Sequence, residues 1–203
     1  MLKNTSHSYG WISIGLHWLM ALSIFAMFAL GLWMTDLNYY DTWYHRAPEL
    51  HKAVGMLFLF LLLFRFAWRQ GNAWPNLMGL WWEKLIAISV HRSHYMLMFI
   101  VALSGYLIPT AEGKGIDVFG LFVVPGLFQF DKQQADLIGL LHLGAAWALM
   151  GLAAMHAAAA LKHHFVDRDE TLTRMLGLTR MPGLSHKSGT PPKTEENNKE
   201  TTP

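Results

Sequence analysis

The stretch Leu140–Phe165, LLHLGAAWALMGLAAMHAAAALKHHF, decides the fold of this chain. It is almost wholly apolar and, as a helix rising about 1.5 Å per residue, it is long enough to cross a bilayer. His142 and His156 nevertheless lie inside the apolar run. An imidazole at that depth in a membrane is energetically costly, so a functional role is expected. Fourteen helical residues rotate by about 1400°, so the two rings lie within about 40° of one face and roughly 21 Å apart along the axis. This face therefore offers two nitrogen ligands, too far apart for one metal ion but suited to two large planar cofactors.

The composition is typical of a membrane protein. Of the 203 residues, 53% are hydrophobic, and they fall in four blocks rather than at amphipathic spacing. The chain has no cysteine, which excludes disulfides, iron–sulfur clusters, a thiolate-ligated haem and covalent haem attachment. The net charge is only +2 and the basic residues are scattered among the flanks of the apolar blocks, so nucleic-acid binding is set aside.

The apolar blocks predict four membrane-spanning helices. The first is expected to be retained, because the apolar core of a cleaved signal peptide is shorter and precedes a small-residue cleavage site. The third is long enough to span only when the polar patch His91-Arg92-Ser93-His94 is included. The predicted spans are residues 11–34, 51–68, 85–109 and 140–165.

The other segments complete the predicted layout. Residues 69–84 are expected to form an interfacial loop, and the apolar piece at 118–130 is expected to lie on the surface because glycine and proline interrupt it. Beyond residue 184 the composition is rich in Ser, Thr, Pro, Lys, Glu and Asn and cannot build a core. The layout is an N-terminal lead at 1–10, a four-helix transmembrane domain at 11–165, a short charged helix at 166–181 and a disordered tail at 182–203.

Lysine and arginine residues orient these spans. With four spans, both termini lie on one side of the membrane. That side, together with the connection between the second and third spans, holds twelve of the 16 Lys and Arg residues, and the two opposite loops hold four. Because basic residues concentrate on the cytoplasmic side, both termini are expected to be cytoplasmic.

This topology sorts four histidines within the spans into two pairs. His17 and His156 lie near the inner ends of the first and fourth spans, whereas His51 and His142 lie near the outer ends of the second and fourth spans. Each pair joins two helices at one membrane level, which is the arrangement that two axial ligands of a haem need.

Four further residues lie near the membrane depths of these two histidine pairs. His91 and His94, on neighbouring faces of the third span, compete for the inner level. Gly55, one turn from His51, would let a flat macrocycle approach the backbone. Arg65 lies near that face at the depth of the inner cofactor, where it could pair with a propionate. The alternative for Arg65 is a side chain that merely reaches toward the membrane surface.

Four segments of the sequence carry a specific resemblance to a known protein family. They are ISIGLHWLM, ELHKAVGM, HRSHYMLMF with SGYLIP, and the fourth span quoted above. Over about residues 8–176 the chain resembles the bacterial cytochrome b561 family, which is related to the cytochrome b subunits of nickel–iron hydrogenases. The resemblance implies an all-α integral membrane four-helix bundle in the bacterial inner membrane, with two b haems stacked across the bilayer. It assigns the axial ligands to His17 and His156 at the inner haem and to His51 and His142 at the outer haem.

The resemblance also implies an activity. It is closest to a superoxide:ubiquinone oxidoreductase type, so electrons are expected to pass between an outer-side donor, with superoxide as a candidate, and the membrane quinone pool. A quinone site is expected beside the inner haem, at His91, Arg92, His94 and His163. The alternative for His163 and its neighbour His164 is that they mark a helix end at the membrane surface.

Two other classes of function compete with electron transfer. A histidine-based transition-metal transporter would also place several imidazoles within the membrane, but the spans hold no cysteine or aspartate. A structural subunit would explain the four spans but not the histidine pairs that match in depth. A membrane electron carrier accounts for both features, and the resemblance implies that its cofactors are two haem b groups and its substrate ubiquinone.

Overall fold

The computed structural model describes residues 1–76, 80–111 and 113–178. The expected disordered tail at 182–203, and the end of the charged helix expected at 166–181, lie outside these residues. Helices and two short strands follow one another along the described chain. They are α1 Trp11–Thr35, α2 Arg46–Gln70, α3 Trp81–Thr110, β1 Ile116–Val118, β2 Phe122–Val124, α4 Lys132–Phe165 and α5 Thr171–Met175.

The four long helices form the expected membrane bundle. Each of α1 to α4 is long and apolar enough to cross a membrane. Many of their large apolar side chains face outward, for example Leu22, which is 68% exposed, and Leu140, also 68% exposed. Such exposure would be costly in water but is what a lipid-facing surface requires. The all-α integral membrane fold expected from the sequence is confirmed.

The centre of the bundle is made by one buried side chain from each long helix. Met20 of α1, Leu62 of α2, Met98 of α3 and Leu149 of α4 form one apolar cluster, and Leu62 is completely buried. Because successive helices pack against each other as antiparallel neighbours, this cluster lies between the two ends of the bundle. The end that holds the N-terminus of α1 and the C-terminus of α4 is named the inner end, after the expected orientation, and the opposite end is named the outer end.

Three helices begin earlier than the sequence predicts. α2 begins at Arg46 rather than near residue 51, and for α3 and α4 capping gives the reason. α3 begins at Trp81, inside the expected interfacial loop 69–84, because the Glu83 carboxylate accepts a hydrogen bond from the Leu80 backbone N–H at 2.9 Å. α4 begins at Lys132 rather than near residue 140, because the Asp131 carboxylate accepts from the Gln134 backbone N–H at 2.8 Å.

The apolar piece expected to lie on the surface is largely exposed, and Val118 is its one buried side chain. The antiparallel strands β1 and β2 form a hairpin, and β1 packs with Ile116 and Val118 against Met56 and Tyr106. The Tyr106 hydroxyl donates to the carbonyl of Pro125 at 2.7 Å and accepts from the backbone N–H of residue 127 at 3.1 Å. Backbone groups that follow the hairpin are thereby satisfied beside α3. The piece at 118–130 therefore lies mostly on the outside of the bundle, as expected, and its buried Val118 packs against side chains of α2 and α3.

Candidate functional site

The bundle brings together two pairs of histidines, one at each end. The rings of His17 and His156 have centroids 6.4 Å apart. The rings of His51 and His142 also have centroids 6.4 Å apart. The members of each pair come from different helices, α1 with α4 at the inner end and α2 with α4 at the outer end.

The ring separations fit an iron atom held between two imidazoles. With a metal–nitrogen distance of about 2.0 Å on each side, axial imidazoles would hold their ring centroids roughly 6.3 Å apart. Both pairs agree with that spacing. The rings of His91 and His94 lie closer to His156, at 5.4 and 5.2 Å, which is too short for two rings on opposite faces of one macrocycle.

At the outer end the two rings are held differently. The Nδ1 atom of His142 lies 2.9 Å from the carbonyl oxygen of Val101 and 3.2 Å from the Ser104 hydroxyl. When Nδ1–H donates to that carbonyl, the lone pair of Nε2 is left for a metal. The Nδ1 atom of His51 is buried and has no hydrogen-bond partner among the described residues.

Glycines on neighbouring helices make room for the outer rings. A Cβ atom on Gly105 would lie 2.9 Å from Cε1 of His142, and one on Gly31 would lie 3.2 Å from Cε1 of His51. Either side chain would therefore push against a ring. At Gly55, which the sequence singled out, a Cβ would meet only the methyl group of Met27, at an ordinary 3.6 Å.

The inner end carries a larger cluster of histidines. His91 and His94 of α3 both contact the ring of His156, so both face the bundle interior. The Nδ1 atom of His94 lies 2.8 Å from the carbonyl oxygen of Val90, one turn earlier. Four imidazoles, including that of His17, thus gather at this level.

Arg65 lies at the inner level and contacts α1 rather than a carboxylate. Its Nη2 atom is 3.2 Å from Nδ1 of His17, and its Nη1 atom donates to the carbonyl of Leu16 at 3.3 Å. Its guanidinium also lies 6.0 Å from the ring centroid of Tyr95. Within the described part of the chain no acidic side chain pairs with Arg65, so this charge is available to an anion.

His163 lies among charged groups at the inner end of α4. Its Nδ1 atom is 2.9 Å from a carboxylate oxygen of Asp167 and 3.1 Å from one of Asp169. Burial raises the pKa of Asp169, but hydrogen bonds from Thr171 and the neighbouring His163 outweigh it and hold the pKa below its usual range. Lys162 pairs with Asp167 at 2.8 Å. Ionisable side chains in contact with one another therefore extend from His163 to Lys162 at the end of α4.

The expected quinone residues do not form a single contact group. His91 and His94 lie against His156, whereas the structure places His163 with Asp167 and Asp169. The fourth expected residue, Arg92, has an exposed side chain. Two histidines thus lie at the inner ligand level, and the third lies at the helix end.

The ends of the described chain fold over this region. The indole N–H of Trp18 donates to the carbonyl of Met175 at 3.0 Å, and Arg174 donates to the carbonyl of Asn76 at 3.2 Å. Burial raises the pKa of the Tyr9 phenol, although the nearby cations of Arg69, Arg174 and Arg65 act in the opposite direction. The inner end is thus capped and positively charged.

Several residues of the site were missed in the sequence. Ser104 and Gly105 were present in the quoted segment SGYLIP, but their contact with His142 depends on how α3 is rotated against α4. The i, i+4 spacing of His163 and Asp167 was a signal that could have been used. Gly31 gave no signal, because its neighbour is on another helix.

Comparison with known proteins places the chain among membrane cytochromes. A family model described as prokaryotic cytochrome b561 matches residues 8–178. "Cytochrome b561 homolog 2" of Escherichia coli (strain K12) is 48% identical over 176 residues, covering 86% of this chain and 94% of that protein. "Probable superoxide oxidase CybB" of Yersinia pestis is 28% identical over 172 residues, covering 83% and 95%. "Cytochrome b561 homolog 1" of Escherichia coli (strain K12) is 31% identical over 98 residues, covering 47% and 53%.

Proposed function

Because the chain belongs to the prokaryotic cytochrome b561 family, a family of membrane electron-transfer cytochromes with haem b, we propose that it holds two haems and links an outer-side electron donor to the membrane quinone pool. The inner haem is assigned to His17 and His156, and the outer haem to His51 and His142. The observation that carries this proposal is the 6.4 Å separation of the rings in both pairs, at the two ends of the bundle.

The haems, when bound, supply one-electron chemistry between ferric and ferrous iron, and the protein holds and tunes them. Two imidazoles on each iron would leave no position at which a substrate could bind the metal, which favours electron transfer. The carbonyl of Val101 fixes the orientation and tautomer of His142. The apolar cluster between the two levels keeps water out of the centre of the bundle.

Arg65 is proposed as the partner of a haem propionate. When Nε2 of His17 binds iron, the ring proton lies on Nδ1, so Nδ1 can no longer accept a hydrogen bond. The guanidinium, 3.2 Å away, is then one donor facing another and gains by turning to an anion. A haem propionate is a carboxylate that suits this role.

The molecule that donates electrons at the outer side is specified less closely than the haem ligands. Similarity to a probable superoxide oxidase makes superoxide the first candidate. The two outer loops, however, hold seven acidic and four basic residues, which weakens attraction of an anion to that face. The proposal therefore specifies an outer-side donor and takes superoxide as the first one to test.

A metal transporter is less well supported than an electron carrier. The described residues contain no group of three or more His, Cys, Asp or Glu side chains suited to hold a free metal ion. Such a group is what a transport site would need. His17 with His156 and His51 with His142 are instead spaced as two axial ligands of one iron would be.

The test of the proposed function is an optical spectrum with haem counting. We expect the purified full chain to show b-type absorption bands and to yield two haems per chain by pyridine haemochrome analysis. Acid-acetone should extract both haems, because the chain has no cysteine for covalent attachment. One haem per chain, or haem retained after extraction, would contradict the proposal.

The location and orientation are also part of the proposal. We place the chain in the bacterial inner membrane with both termini cytoplasmic, since twelve of the 16 Lys and Arg residues then lie on the cytoplasmic side. A reporter that is active only in the cytoplasm should be active when fused after Pro203, and a reporter that is active only in the periplasm should be inactive there. The reverse pattern would show that the orientation is inverted.

A further inference from the structure

The two proposed ligands of the outer haem differ in how their rings are supported. Nδ1 of His142 has an acceptor in the carbonyl of Val101 at 2.9 Å, with the buried Ser104 hydroxyl 3.2 Å away. Nδ1 of His51 is equally shut off from solvent, yet no described residue offers it an acceptor. The ring separation is 6.4 Å in both histidine pairs, so it does not account for this difference in support.

We propose that His142 is the firmly held ligand of the outer haem and His51 the exchangeable one, so that a small neutral ligand binds this haem by displacing His51. The inference rests on the proposed haem ligation. An N–H to carbonyl hydrogen bond orients an imidazole and makes its other nitrogen more basic. Loss of such a partner typically lowers metal affinity by about 10- to 100-fold. His51 has no such partner among the described residues and is therefore the weaker ligand.

The ring of His51 is less tightly packed than the ring of His142. Gly31 of α1 lies beside it, at a greater distance than Gly105 lies from His142. A residue with a Cβ at that position would stand 3.2 Å from Cε1 and 3.8 Å from Nδ1 of His51. His142 differs because its ring is both hydrogen-bonded and pressed against Gly105.

Gly31 also offers a way to supply the missing acceptor. A serine hydroxyl oxygen lies about 1.4 Å from its Cβ, so Gly31→Ser can bring an acceptor into the roughly 2.7–3.2 Å range of Nδ1. Gly31→Ala adds the same Cβ without the oxygen and is the matched control. Comparing the two variants separates the hydrogen bond from the added volume.

The experiment measures carbon monoxide binding to the dithionite-reduced full chain, by difference spectrum and by recombination after flash photolysis. In the wild type we expect carbon monoxide to bind one of the two haems. Binding should persist in His17→Ala, which keeps only the outer haem. Gly31→Ser should bind carbon monoxide at least tenfold more weakly than Gly31→Ala, and the midpoint potential of one haem should be lower in the serine variant, because a more basic imidazole favours ferric iron.

The outcomes separate this inference from the proposed function. A chain with two low-spin haems that binds no carbon monoxide keeps the proposed function and overturns the inference. Equal binding by the serine and alanine variants also overturns it. A chain without two b haems contradicts the proposed function instead. If neither Gly31 variant assembles its haems, carbon monoxide binding by wild type and His17→Ala decides the question.

Discussion

Replacing His142 with alanine should remove the outer haem and leave the inner one, and replacing His17 or His156 should do the reverse. Each substitution is expected to lower the haem content from two per chain to one, because a haem held by two imidazoles is released or becomes unstable when either is lost. Pyridine haemochrome analysis gives the number of haems. A potentiometric titration shows which of the two redox transitions has disappeared.

The competing histidines of α3 provide the critical comparison. His91 and His94 contact His156 at 5.4 and 5.2 Å between ring centroids, which are shorter separations than axial ligation allows. His91→Ala and His94→Ala should therefore each retain two haems, although the spectrum of the inner haem can shift. His164→Ala is a control for loss of an imidazole elsewhere on α4. If His94→Ala lost the inner haem and His17→Ala kept it, the ligand assignment at the inner level would have to be changed.

The sequence predicts the arrangement of the bundle because the decisive signals are local. The apolar blocks give the four helices, and the fourteen-residue interval between His142 and His156 gives a common face and two depths. The depth of Arg65 follows from the same arithmetic, and the structure places it beside His17. Assignments of this kind depend only on helix geometry and on the direction in which each span crosses the membrane.

Features that depend on contacts between elements were not predictable in the same way. The hairpin has strands of only three residues, and the surface that it packs against is formed by α2 and α3. The early start of α4 depends on a cap at Asp131, which precedes a polar first turn that the hydropathy pattern assigns to the loop. The contact of Gly31 with His51 and that of Gly105 with His142 require the rotation of each helix about its axis, which no local pattern fixes.

The two ends of the bundle differ in a way that bears on direction and substrate. The outer level holds one histidine pair with a tight glycine on each side. The inner level holds two additional histidines, a buried arginine and the charged end of α4. Quinone reduction consumes protons as well as electrons, so it needs groups that donate hydrogen bonds and relay protons near a haem. The inner end is the one that supplies them.

His163 is the residue on which this argument can be tested most sharply. It follows His156 by seven residues, about two turns and roughly 10 Å further toward the C-terminal end of α4, so it cannot ligate the same iron. Asp167 and Asp169 lie 2.9 and 3.1 Å from its Nδ1 atom. Because the pKa of Asp169 is held below its usual range, this carboxylate is ionised at neutral pH and can orient the imidazole.

We expect His163→Ala to keep both haems spectroscopically normal and to slow reoxidation of the reduced protein by a short-chain ubiquinone at least tenfold, since a positioned general acid typically contributes about 10²–10⁴-fold. Combining it with His94→Ala should slow the reaction further, because His94 would bind a quinone carbonyl while His163 relays the proton. Stopped-flow measurement of haem reoxidation under anaerobic conditions gives the rate directly. His164→Ala, the adjacent histidine, is the matched control and should react as the wild type does. If His163→Ala alone and together with His94→Ala left the rate unchanged, the quinone site would have to be sought at the outer haem, where the ring of His51 has no hydrogen-bond partner among the described residues.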